Sequence, residues 1–409
     1  MSYQRIATPR IYIDNINWLI SSGLLPTDQI TSSGASMASG SSIHSFFDMK
    51  PSNTQTITTT GASAGFKLHI DTNMASGSQQ DSNFIAILGH NLKSAGAKIM
   101  LQSDDSSAFA SPSPITSLTS VVNAAAQADT DTGTNIAEAL DTSETGVDVE
   151  SGHGGRFSEG DFIKVDSEIM YVDSVSSDTL TCDRGVSGTT AATHDSGASL
   201  LFTGYTAPAT NGWTLATFSK TSDNRYIRLI IDPDGAANDN FSANVQIGAI
   251  LIGETMTLPQ SPDLSITKQF LFDGVTRQTS IGGQTYANAQ YTKSANWISE
   301  PFYNYTGTAS DRRDKSGRMS LGMGFSYLTD TDVFAEDLYS RTGVSATNSI
   351  YTNLISKTNN GMFPMLFQYD SDTATDIDSF LWCRLNNEPS FQQVANRVWS
   401  TKIELLEEF

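Results

Sequence analysis

Short runs in which apolar and polar residues alternate recur along most of the chain, punctuated by Gly, Pro, Asn and Asp. Phe66 to Asp71 (FKLHID), Phe84 to Leu88 (FIAIL), Lys98 to Gln102 (KIMLQ), Tyr226 to Ile231 (YIRLII) and Val245 to Ile252 (VQIGAILI) are the clearest, and they are rich in strand formers. A period of two places successive side chains on opposite faces of an extended chain, so these segments predict strands. Helical spacing is confined to Asp332–Arg341 (DVFAEDLYSR), through Phe334, Leu338 and Tyr339, and to Asn348–Lys357. The expected fold class is all-β with minor helices.

A chain of 409 residues is too long for one core, and its composition shifts along its length. Strands before residue 115 lack nearby partners until GWTLATFSK and RYIRLIID, from Gly212 onward. Between them lie an Ala/Thr/Asp-rich stretch and a tight run of β-segments from Thr145 to Thr203. This pattern predicts a β-sandwich over residues 41–115 and 204–260, with a small β-domain, 116–203, inserted into one of its loops. Such an insertion costs little where the loop ends lie close together. Pro259-Gln260-Ser261-Pro262 reads as a linker to a C-terminal β-domain over 261–409. Residues 1–40 combine the strand-like RIYIDNINWLI with the polar tract SSGASMASGSS, an arm and its tether. Ile11, Ile13 and Trp18 then sit either on an arm that adds to a neighbouring subunit or on an edge strand of the chain's own sheet.

Composition narrows the function. Charged residues make up only 17% of the chain, and Ser, Thr, Asn and Gly take their place, which suits short strands and turns. With 24 basic and 44 acidic residues the net charge is −20, so phosphate backbones repel the chain and a nucleic-acid partner is not expected. The N-terminus lacks an apolar core of signal-peptide length, and no apolar run approaches the ~20 residues of a membrane span, so no membrane insertion is expected. Cys182 and Cys383 have neither CxxC nor Cys/His spacing around them, which offers no disulfide framework or zinc site.

Motifs that could carry chemistry find plainer structural readings. Gly61-Ala62-Ser63-Ala64-Gly65 matches the GxSxG spacing, but a strand follows it where a hydrolase needs a helix. Counting from Asp129, an EF-hand fails because Gly133 falls at position five, where glycine is required at six, and Leu140 stands at twelve in place of the glutamate. A looser calcium site from Asp129, Asp131 and Asn135 competes with a solvated polar turn. His90, in LGHN, has no Ser, Cys or carboxylate partner nearby in sequence and reads as an imidazole that holds a turn. Trp297, Phe302, Tyr303 and Tyr305 form an aromatic cluster that would suit sugar rings or a protein partner, against the alternative of ordinary core. No catalytic centre, cofactor or metal is expected.

Two stretches resemble known families. Asn83 to Leu92 (NFIAILGHNL) followed by GAKIMLQSDD, together with NRYIRLIID and VQIGAILIGETMTLP, resembles the galactose-binding-like, discoidin-type jelly roll of phage virion proteins. Gly160 to Val172 (GDFIKVDSEIMYV), continuing as LTCDRGVSGTTAATHDSGA, is similar to a small β-module found in phage tail and other virion proteins. Without the family, FIKVDSEIMYV already reads as two strands around a tight Asp-Ser turn, with TLTCDRG as a third.

The resemblance implies a jelly-roll β-sandwich and a structural subunit of a bacteriophage virion, in the tail or baseplate. Its partners would be other virion proteins and further copies of itself in a ring. A host-adhesion protein that binds a glycan, with Trp297, Tyr303 and Tyr305 as its site, and a head-decorating protein are the alternatives. The chain would be made in the host cytoplasm and reside in the virion.

Overall fold

A computed structural model of the chain describes residues 8–62, 65–73, 82–107, 109, 113–114, 119–122, 129–218, 225–234, 240–271, 277–287, 318–334, 349–371 and 379–408. The fold is all-β and multi-domain, with short helices. The chain forms two compact units: Leu19–Asp48 with Asn53–Gly253, and Met1–Trp18 with Met49–Ser52 and Glu254–Phe409. It passes from the first to the second inside the strand Ala249–Thr257. The boundary therefore precedes the Pro259–Pro262 segment expected to be the linker. Met256 and Leu258 explain the difference, because both are buried in the core of the second unit.

The first unit contains two antiparallel sheets of a β-sandwich. One runs Ile30–Gly34, Phe66–Asp71, Tyr226–Pro233, Ala97–Asp104 and Ser113–Pro114 in spatial order. Strict alternation in Phe66–Asp71 buries Phe66, Leu68 and Ile70 and leaves Lys67, His69 and Asp71 partly exposed, as a period of two demands. In the other sheet Phe84–His90 pairs on one side with Ala249–Gly253 and on the other with Gly212–Thr217, which in turn pairs with Thr119–Val122. The continuous apolar run of Phe84–Leu88 matches a strand buried on both faces. Gly96, at φ 64, ends the short helix Leu92–Ala95 and turns the chain into Ala97–Asp104.

The small β-module forms its own six-stranded antiparallel sheet, ordered Gly146–Asp148, Thr179–Asp183, Glu168–Ser176, Phe162–Val165, Ser199–Phe202 and Thr130–Asn135. The hairpin turns through Asp166 and Ser167, with Asp166 in the left-handed region at φ 52. Thr119–Val122 lies inside the stretch expected to be inserted, yet it pairs with a sandwich strand, so the sheet of the module begins only at Thr130. Met100 and Ile230 of the sandwich, with Tyr205 from the connection back to it, are buried in the same core as the module's Phe162, Tyr171, Leu180 and Leu200.

In the second unit the strands follow the order Thr267–Leu271, Arg318–Thr329, Val398–Glu407, Phe380–Leu385, Met365–Gln368 and Arg10–Asp14. Ile11, Ile13, Met323, Phe325, Phe367, Leu381 and Ile403 belong to one core. The helix expected over Asn348–Lys357 is present as a π-helix, Ile350–Ser356, and the Ser349 hydroxyl accepts from the Thr352 N–H at 3.1 Å. The helix expected over Asp332–Arg341 begins two residues earlier and breaks after Val333. Asp330–Val333 is helical, but Phe334 is extended and stacks its ring edge against Phe391 and Trp399. Residues 335–341 lie outside the described residues.

Candidate functional site

Exposed apolar side chains concentrate on one stretch of the second unit. The strand Thr267–Leu271 pairs with Arg318–Thr329, from Thr267 opposite Gly322 to Leu271 opposite Arg318, and it forms the edge of the sheet among the described residues. Phe270 on this edge is 52% exposed, and Leu264 just before it is fully exposed. Beyond it, Arg277–Thr279 and Thr285–Ala287 form a two-stranded ribbon that is a sheet by itself. Residues 277–286 are all exposed.

The ribbon is built from local rules. Its tip closes where the Ser280 N–H donates to Gln284 O at 2.8 Å and the Gly283 N–H donates to Ser280 O at 2.8 Å. Gly283 supplies a backbone at φ 83 that other residues resist. Ile281 stands fully exposed at this tip, and Tyr286, 57% exposed, donates its hydroxyl to Gln284 Oε1 at 3.1 Å. Two strands without a third, or an apolar face to bury, are marginal in water. Lys268 and Arg277 are the charged residues among the described positions from 264 to 287, and Asp263 and Asp273 flank Lys268 in the sequence, so the stretch carries little net charge. Chemically it offers main-chain donors and acceptors along an edge and three exposed anchors, Phe270, Ile281 and Tyr286.

Sequence reasoning passed over this stretch because TRQTSIGGQTYA has no alternating apolar face. The signal was present in a different form: two Thr/Gln-rich arms around Gly-Gly, with a single isoleucine where a turn needs none.

The residues read either as an outward-reaching arm or as an edge strand of the chain's own sheet lie elsewhere. Arg10–Asp14 pairs antiparallel with Met365–Gln368 of the same chain, and Ile11 and Ile13 are 1% and 2% exposed. The strand is also flanked on its second side by the strand that ends at Thr257, and the Leu258 N–H donates to Pro9 O at 2.8 Å. It is thus an internal strand of its own sheet, neither a free arm nor an edge. The strand character of RIYIDNINWLI carried no information about which sheet the strand would join. Trp18 lies in the short helix Asn15–Ser21 and is partly buried. Trp297, Phe302, Tyr303, Tyr305 and Ser63 lie outside the described residues.

His90 is buried at the end of its strand. The Leu92 N–H donates to His90 Nδ1 at 3.3 Å, which leaves Nε2 as the donor to Thr214 Oγ1 at 2.8 Å. Burial lowers its pKa to about 3, so the ring stays neutral and holds the turn between two strands. Asp129 and Asp131 are engaged by separate partners. Asp129 accepts from Lys164 Nζ at 2.6 Å and from Thr203 at 2.9 Å, whereas Asp131 accepts from the Gly133 N–H at 2.8 Å.

The most elaborate polar cluster of the module surrounds Glu168, a residue that the sequence reading did not single out. Its carboxylate accepts from Arg184 Nε and Nη2, from the Gly185 N–H at 3.0 Å and from the Ala192 N–H at 2.9 Å. His194 places Nε2 2.8 Å from Glu168 Oε2 and Nδ1 2.9 Å from Asp166 Oδ2. Burial by itself would raise the Glu168 carboxyl, but the Arg184, Ala192 and His194 hydrogen bonds outweigh it and hold the pKa at about 2. Every polar partner of Glu168 belongs to the segment DRGVSGTTAATHDSGA, so the cluster ties the loop Arg184–Asp195 onto the hairpin. No protein-family model matches the chain, and no curated protein matches it.

Proposed function

We propose that the chain is a structural, non-catalytic subunit of a bacteriophage virion, a tail or baseplate component present in several copies that joins other tail proteins. The observation that carries this reading is the exposed edge Thr267–Leu271 with the ribbon Arg277–Ala287, whose apolar side chains face solvent. A partner strand added to the edge would satisfy its main-chain groups, and Phe270, Ile281 and Tyr286 would supply buried anchors at the contact. Ring assemblies repeat one heterologous contact around an axis, so an open strand edge beside an exposed ribbon suits such a neighbour. The resemblance of residues 160–198 to a small β-module of virion proteins supports the same reading, and so does the net charge that disfavours nucleic acid.

The test has two parts. Particles purified from cultures of the strain that encodes the chain should contain it at a fixed copy number, measured by quantitative mass spectrometry. Ile281→Asp with Tyr286→Ala should reduce its incorporation at least tenfold while leaving the melting temperature unchanged, because both side chains are solvent-exposed. Absence of the chain from purified particles would overturn the reading. Normal incorporation of the double variant would remove the ribbon from it.

A further inference from the structure

The five-stranded sheet of the sandwich carries an unusual face beneath the module. Register pairs Arg228 with Gln102, Ile230 with Met100 and Asp232 with Lys98, so these six side chains lie together on one side. The module covers them. Gln102 Nε2 donates to Gly160 O at 2.6 Å, Arg228 Nη2 donates to the Tyr171 hydroxyl at 3.2 Å, and Lys67 donates to Glu159 O. The contact is therefore an apolar centre, Met100 and Ile230, ringed by charge.

At one side of this contact a single phenol lies between two acids. Tyr205 Oη is 2.8 Å from Asp161 Oδ1, in the module, and 2.6 Å from Asp232 Oδ2, on the sheet. A phenol has one hydrogen to give. If both contacts are hydrogen bonds, Tyr205 donates to one carboxyl and accepts from the other, which must then carry a proton. The Ser158 N–H donates to Asp161 Oδ2 at 2.8 Å, which favours Asp161 as the anion and Asp232 as the acid. A Cβ built on Gly65 would fall 1.6 Å from Asp232 Oδ1, so only bare glycine backbone fits over that carboxyl.

The surrounding charges give the same proton count. Lys98, 4% exposed, holds its ammonium 3.9 Å from the Phe202 ring centre and 4.4 Å from that of Tyr205. It feels Asp161, Asp232 and Asp234, and Lys67 faces Asp232 from the neighbouring strand. Two cations thus oppose three carboxyls. One added proton balances these five groups, whereas none leaves one negative charge in excess among them.

We infer that Asp161 and Asp232 share one proton through Tyr205, and that this proton controls how firmly the module is held on the sandwich sheet. Burial and the neighbouring Asp232 push the Asp161 carboxyl up to about 6, and burial raises Asp232 as well. A carboxyl raised in the docked state stabilises docking fully below its ordinary value of 3.8, and that contribution is lost as pH rises through about 6. Above that pH two anions compete for one hydroxyl, and the segment Ser158–Asp161 loosens from the sheet. The module is gripped in acid and released toward neutrality.

Hydrogen exchange of the full-length chain tests this directly. After correction for intrinsic rates, opening at residues 158–162 and 204–206 should rise between pH 5 and pH 8 in the wild type. With a docked value of about 6 against an ordinary 3.8, the rise over that interval is about tenfold. Asp232→Asn keeps the shape and can donate from Nδ2 to the phenol, so its exchange should be as slow at pH 8 as that of the wild type at pH 5. The same rise in Asp232→Asn as in the wild type would overturn the proposal. Should the variant fail to fold, 13C carboxyl shifts of aspartate-labelled wild type decide: one of the two carboxyls protonated at pH 5 supports the shared proton, and both ionised there refutes it.

Discussion

Arg184 and Glu168 meet as a planar, two-armed pair inside the module, with Nε 2.7 Å from Oε1 and Nη2 2.8 Å from Oε2, and their side chains are 5% and 0% exposed. The same guanidinium donates Nη1 to Asp141 O at 3.0 Å and Glu144 O at 2.8 Å, and Nη2 to Ala192 O at 2.7 Å. One cation therefore joins two loops, Asp141–Glu144 and Arg184–Asp195, through an acid that lies on the central hairpin. A fork of this kind needs arginine, because lysine presents a point charge without the second arm.

Glu168→Gln should cost about 3–5 kcal/mol, since it leaves the Arg184 guanidinium buried without its anion. Urea unfolding followed by hydrogen exchange within residues 130–202 measures this cost. Arg184→Lys keeps the charge and should lose less, about 1–3 kcal/mol. Equal stability of wild type and Glu168→Gln would show that the pair contributes nothing to holding the loops.

Acid should weaken the same pair. A carboxyl held below its ordinary value of 4.5 contributes stability that is present above 4.5 and disappears as pH falls toward about 2. The loss is on the order of 3 kcal/mol. Thermal melts between pH 5 and pH 2 should show a steep fall for the wild type and a shallower one for Glu168→Gln. Parallel curves would reject the assignment. This dependence has the opposite sign to that of Asp161 and Asp232, so the module should be most firmly held near the acid side of neutrality.

Ile13→Ala should destabilise the second unit by about 2–4 kcal/mol, the usual cost of emptying a buried aliphatic site. Removal of residues 1–14 should unfold that unit, because it takes away the strand that hydrogen-bonds Met365–Gln368. Circular dichroism of the truncated chain checks this. A truncated protein with unchanged melting would return Ile11 and Ile13 to the role of a dispensable arm.

Excision of the module should depend on where the cuts fall. Joining residue 128 to residue 204 through a short Gly/Ser linker should leave a cooperatively folding sandwich, because the module sheet lies wholly between Thr130 and Phe202. Deleting 116–203 also removes Thr119–Val122, a strand of the sandwich, and should give a lower urea midpoint. Identical midpoints for the two deletions would mean that this strand contributes no stability.

The amino-acid sequence determined, by itself, most of what depends on near neighbours. Alternation in FKLHID and FIKVDSEIMYV announced strands, their buried faces and the turn at Asp166, because pleat geometry and solvation act on residues two apart. The turn-holding role of His90 was also legible, since its acceptor bond reaches only two residues along the chain. What tertiary structure decided is everything that depends on distant partners. Tyr12 and Gln368 lie 356 positions apart and are joined by a 2.9 Å hydrogen bond, and no local pattern says that the Arg10–Asp14 strand is internal. The end of the module at Thr130, the unit boundary inside Ala249–Thr257 and the meeting of Asp161, Tyr205 and Asp232 were hidden for the same reason. Backbone pairing costs and rewards the same main-chain groups in every strand, so the sequence near a strand does not name its neighbour. A polar residue likewise reveals nothing of its charge state until the fold has chosen what surrounds it.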